Sequence, residues 1–131
     1  MKSLLIATVL AASALPALAQ DTSPAALIAA YAAEAGAPAD PAAGEALFRA
    51  THTGGKPDTP SCTTCHTADP TAVGAARSGK AIEPLAPSAN PLRFTDTAQV
   101  EKWFGRNCSS VLGRECSAQE KADIVAWLAS L

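Results

Sequence analysis

Methionine is almost missing from this chain: there is one, and it is Met1. A mature chain shorn of its first residues has no thioether to offer a metal. Histidine is nearly as scarce, with His52 and His66 the 2 in the sequence. Lysine and arginine number 10 against 12 aspartate and glutamate, for a formal net charge of −2, and nowhere form a run. That balance excludes the basic footprint a nucleic-acid partner requires. Aromatic residues make up only 5%, so side chains alone give a chain this short a lean core. There is no internal repeat, and no alternation of strand length stands out. Without βαβ strands, a Cys-x-x-Cys run loses its thioredoxin-like reading.

The first residues read as an export signal. Lys2 precedes the uncharged stretch LLIATVLAASALPALA, and Ala17-Leu18-Ala19 forms an A-x-A cleavage site. About 16 apolar residues fall short of the roughly 20 that span a bilayer. We therefore expect residues 1–19 to be removed and residues 20–131 to form one domain in the periplasm. Export places the 4 cysteines in an oxidising compartment, where each thiol needs an assignment.

Four helices can be read from caps and periodicity. In SPAALIAAYAAEAG, Ser23 caps, Pro24 opens and Gly36 stops the helix, with Leu27, Ile28, Tyr31 and Ala35 along one side. In DPAAGEALFRATH, Asp40 caps and Pro41 opens; Gly44, Leu47, Phe48 and Thr51 fall at i, i+3, i+4, i+7. A third helix is DTAQVEKWFGRN, capped by Asp96, with Val100, Trp103, Phe104 and Asn107 on one stripe. The last, SAQEKADIVAWLASL, opens on a Ser117/Glu120 capping box and aligns Ile124, Trp127, Leu128 and Leu131. Between the second and third helices runs a long tract rich in proline, with apolar spots at Ile82, Leu85, Leu92 and Phe94. A loop of that length in a small domain is unusual unless it wraps something. The expected fold is all-α.

What it wraps is indicated by PSCTTCHTADP. Covalent attachment of a haem needs two thiols to add to two vinyl groups and an imidazole placed directly after the second. Cys62-x-x-Cys65-His66 supplies all three. Half of a zinc site is the alternative, but Cys108 and Cys116 lack ligand spacing and His52 stands alone. The order of elements also resembles a class I cytochrome c: a helix bearing Gly44 and Phe48, the attachment run, a wrapping loop and a final helix bearing Trp127. Residues 20–39 then form an N-terminal helical extension.

With methionine absent, the second axial position of the iron is open to several readings. It could be vacant, or filled by His52, by a lysine amine or by an unusual side chain. His52 sits on the attachment side, tethered by the short TGGKP loop, so crossing to the far face is awkward. FGRNCSSVLGRECS, ahead of the last helix, holds no Met, His or Lys, but it holds Asn107 on the stripe of Trp103 and Phe104. If paired, Cys108 and Cys116 would staple that segment to the start of the last helix.

The runs WFGRNC, GRECSAQEKADIVAWL and GGKPDTPSCTTCH closely resemble the sphaeroides haem protein (SHP) family, oxygen-binding class I cytochrome c variants. The resemblance covers essentially the whole mature chain. It implies one covalently attached haem c on Cys62 and Cys65, His66 and Asn107 as axial ligands of oxidised iron, and a Cys108–Cys116 disulfide. It further implies that the asparagine lets go on reduction and that oxygen, nitric oxide or cyanide takes its place. The implied electron donor is a dihaem or other multihaem cytochrome c, with a membrane cytochrome b as a further candidate. Two rival functions stand beside this one. A pure electron carrier would keep its sixth ligand in both states, and an enzyme acting on peroxide or nitric oxide would want a distal His/Arg pair. No such pair is obvious, although Arg106 neighbours Asn107.

Overall fold

The computed structural model describes residues 20–131. The expected signal and its cleavage site, residues 1–19, lie outside the described residues. In chain order the elements are α1 (Pro24–Ala35), α2 (Pro41–Arg49), α3 (Thr63–His66), β1 (Gly74–Ala75), β2 (Ala81–Ile82), α4 (Thr97–Leu112) and α5 (Ala118–Ala129).

The helix starts follow from local chemistry. The first backbone N–H groups of a helix have no intrahelical acceptor, and a side-chain oxygen just ahead of them supplies one. Ser23 Oγ accepts from Ala26 N–H at 3.2 Å, and Asp40 Oδ1 accepts from Ala42 N–H at 2.9 Å. Asp96 Oδ1 accepts from Gln99 N–H at 2.8 Å. Ser117 and Glu120 form a reciprocal capping box on α5.

Helix α5 is the spine. Helix α2 crosses it where Gly44 meets the Asp123 backbone, and there the Phe48 and Trp127 rings lie 5.0 Å apart. Helix α1 lies along α5 too, burying Leu27 and Tyr31 with Val100, Ala122 and Val125. The Tyr31 hydroxyl donates to the Glu101 carboxylate, which also accepts from Lys121 Nζ at 2.7 Å. Burial first, and the neighbouring Glu101 second, push the Tyr31 phenol well above its ordinary pKa. Buried Asp123 accepts from Asp40 N–H and from Gln119 Nε2, each at 2.7 Å, tying the α1–α2 connection to the spine.

Three expectations are corrected. Helix α2 ends at Arg49 rather than continuing to His52, because Ala50 is already extended at φ −65, ψ 152. Helix α4 does not stop near Gly105 or Asn107 but runs on to Leu112, where Gly113 turns left-handed at φ 71. A glycine inside a helix costs only about 1 kcal/mol, and burial of Cys108 and Val111 in the extra turns offsets it. Finally, a short antiparallel ribbon, pairing Gly74 with Ile82 and Ala75 with Ala81, interrupts the all-α picture. Strands of 2 residues carry no alternation that a sequence could display.

Candidate haem site

One cavity of about 370 Å³ occupies the space between α2, α3, α4, α5 and the long loop. Cys62, Cys65, His66 and Asn107 all border it. So does the whole α4 stripe of Val100, Trp103, Phe104 and Asn107, together with Leu85, Leu92 and Phe94 of the loop.

The attachment run is fixed from both ends. Buried Ser61 accepts from Thr63 N–H at 3.3 Å and donates to the Phe48 carbonyl at 3.2 Å, so α3 starts against α2. At the other end, a Cβ on Gly74 would sit 2.1 Å from the Cys65 carbonyl oxygen. Glycine at 74 therefore lets the ribbon press on the run itself. Cys62 and Cys65 are unpaired thiols. Burial is the main force pushing the Cys62 thiol up to about 11, so it is held protonated at neutral pH. Burial also lowers His66 to about 4, helped by the positive charge of Arg93. Its imidazole is thus neutral, the form that binds metals.

The cavity passes a test of fit for a haem. Its wall is largely apolar, two free thiols border it, and His66 Nδ1 is buried with no hydrogen-bond partner. A buried, unpartnered imidazole nitrogen is costly in a finished structure and ordinarily marks a missing partner. No backbone carbonyl pairs with that nitrogen among the described residues; the Pro84 carbonyl accepts from Arg93 Nε at 2.7 Å, and the Glu83 carbonyl accepts from Arg93 Nη2 at 2.5 Å. Those bonds hold the Arg93 guanidinium on the cavity wall. Of the three cations on the long loop, Arg77 is paired with Asp58 and Lys80 is exposed and off the cavity. Arg93 alone of the three stands on the wall. No sequence signal distinguishes it, because the loop path decides.

His52 is not on that wall; its Nε2 sits 3.0 Å from the Leu47 carbonyl oxygen. Nor does any lysine line the cavity. Three carboxamides do. Asn90 Oδ1 accepts from Leu92 N–H at 3.2 Å, and Gln99 Oε1 accepts from Trp103 Nε1–H at 2.8 Å. The Asn107 carboxamide has no hydrogen-bond partner among the described residues.

Cys108, next in sequence, is disulfide-bonded to Cys116 across a separation of 8 residues. The bond ties the last turns of α4 to the start of α5. Closing a loop that size removes about 2.5 kcal/mol of unfolded-chain entropy. The double variant Cys108→Ala/Cys116→Ala is expected to lose about that much in denaturant unfolding. A loss below about 0.5 kcal/mol would show that the staple contributes nothing.

Residues 34–128 match the DUF1924 family, described as a domain of unknown function. The cytochrome c-type protein SHP of Cereibacter sphaeroides is 70% identical over 115 residues, 88% of this chain and 89% of that protein. A structure of oxidised SHP, described as an oxygen-binding cytochrome c, superimposes with a TM-score of 0.83 at 68% identity, covering 85% of this chain and 99% of that one. The solution structure of cytochrome c'' from Methylophilus methylotrophus, a study of haem-ligand detachment, gives a TM-score of 0.68 at 32% identity over 82% of this chain and 93% of that one. A cytochrome c fold, the attachment run on its cavity and a relative this similar together place the chain in the SHP family of c-type cytochromes, with one covalently attached haem c as its cofactor.

Proposed function

We propose that this chain is an exported electron-accepting haem protein whose Asn107 carboxamide is a detachable cap. It holds the iron while oxidised and releases it on reduction, making room for oxygen, nitric oxide or another small ligand. One observation carries the reading: of the carboxamides on the cavity wall, Asn107 is the one with no hydrogen-bond partner among the described residues.

When bound, haem c would supply a redox-active iron. Cys62 and Cys65 would hold the macrocycle through thioethers, neutral His66 would offer the iron a nitrogen, and Arg93 would meet a propionate. Asn107 would offer an amide oxygen, a hard and weak neutral donor better suited to ferric than to the electron-richer ferrous iron. Its amide N–H would be available to donate to a small guest, as distal donors do in other haem pockets. The oxygen binding of SHP and the ligand detachment studied in cytochrome c'' support this reading. The electron donor fitting it is a dihaem or other multihaem cytochrome c in the periplasm, with a membrane cytochrome b as a further candidate.

The test is optical. Protein reduced without air is expected to show a high-spin ferrous spectrum that shifts within mixing time when carbon monoxide is added. A low-spin ferrous spectrum blind to carbon monoxide would replace the gated site with a plain electron carrier.

A further inference from the structure

The wall that bears Asn107 also has an outer side. A surface recess lies there, lined by Lys56, Gly105, Arg106, Asn107, Ser109 and Ser110. Asn107 and Ser110 line the haem cavity as well, so these two residues border both spaces. Two cations flank the recess. Neither Lys56 nor Arg106 is paired with a carboxylate among the described residues, as is also true of Lys80, Arg93 and Lys102, but only Lys56 and Arg106 border this recess. Two unpaired positive charges thus border one recess on a chain whose formal net charge is −2.

The recess is built rather than incidental. Lys56 stands on a loop pressed against the end of α4: its N–H donates to the Ser110 carbonyl at 2.7 Å. A Cβ on Gly55 would sit 2.2 Å from that same oxygen, and one on Gly54 would sit 2.4 Å from the Leu112 oxygen. Only glycines let the loop lie this close. Arg106 is steadied from the other side, its Cζ 5.5 Å from the centre of the Trp103 ring. Gly105 faces open space, since a Cβ there meets nothing within 4 Å.

We infer that this recess is the way in for small anionic ligands such as azide or nitrite, with Lys56 and Arg106 drawing the anion to Asn107. The inference rests on the reading of Asn107 as the cap over the iron. Fixed charges at the mouth of a site raise the association rate of an opposite charge by roughly 10- to 1,000-fold, and salt screens the effect. A neutral gas feels no such pull. One passage therefore treats the two ligand classes differently.

Stopped-flow mixing of the intact haem-loaded protein tests this, with azide for the oxidised form and carbon monoxide for the reduced form. In Lys56→Gln/Arg106→Gln the azide association rate is expected to fall about tenfold and to lose its salt dependence, while the carbon monoxide rate stays put. Gly105→Leu, which fills the recess without meeting any neighbour at Cβ, is expected to slow both ligands several-fold. An azide rate indifferent to the two charges, a carbon monoxide rate indifferent to Gly105→Leu, or no azide binding at all would overturn the inference. Failure of the underlying ligand reading looks different: Asn107→Ala would leave the oxidised spectrum unchanged. The azide-to-carbon-monoxide rate ratio, by contrast, reports on the recess whichever group is displaced.

Discussion

Asn107→Met is expected to turn the reduced protein low-spin and to shut carbon monoxide out. A thioether is a soft donor and stays on the ferrous ion where an amide oxygen leaves. The apparent affinity of a guest falls by the fraction of time its place is free. If methionine holds that place 99% of the time, apparent carbon monoxide affinity drops about 100-fold. The position favours such a capture. Residue 107 lies on the cavity wall of α4, one residue ahead of the Cys108–Cys116 bond that anchors this part of the helix. Equilibrium titration of the reduced variant against the parent measures the drop. Equal affinities would show that residue 107 does not cover the iron, and with that the proposed function would fall.

The helix starts were legible because a cap is a local matter. Ser23, Asp40, Asp96 and Ser117 each satisfy N–H groups two or three residues ahead, and nothing distant has to agree. The ends were not. Whether α4 stops at Gly105 or passes it depends on Val111 and Cys108 finding a core, and on Gly54 and Gly55 letting a loop seat on its last turns. Those partners are far away in sequence. The same division runs through the site. The attachment run announces itself because two thiols and an imidazole must be contiguous to do their chemistry. The α4 stripe shows itself by its period, and all four of its residues do line the cavity. Where Arg93 ends up, and the Lys56 recess, stayed hidden. Each is put in place by the path of an irregular loop, held by backbone carbonyls in one case and by glycine contacts in the other. Neither leaves a periodic trace.

The largest stability effect is expected from adding a single methyl group at residue 44. A Cβ on Gly44 would sit 2.1 Å from the Asp123 carbonyl oxygen, 2.3 Å from its carbon and 2.8 Å from Ile124 N. All three are backbone atoms of α5, so no side chain can swing aside, and the helices must move apart. Separation loosens the Phe48–Trp127 contact at 5.0 Å and the bonds that Asp123 accepts from Asp40 and Gln119. Overpacking of that kind costs about 3 kcal/mol, which for a domain near 100 residues lowers the melting temperature by roughly 15 °C. Gly105→Ala is the matched comparison. It lies within α4 and its Cβ meets nothing within 4 Å, so the gain in helix propensity stands alone and stabilises by about 1 kcal/mol. The same chemical change is thus expected to carry opposite signs at two glycines, readable from thermal unfolding of the two variants. If Gly44→Ala melted within a degree or two of the parent, the close crossing of α2 and α5 would not be what holds the first and last core helices together.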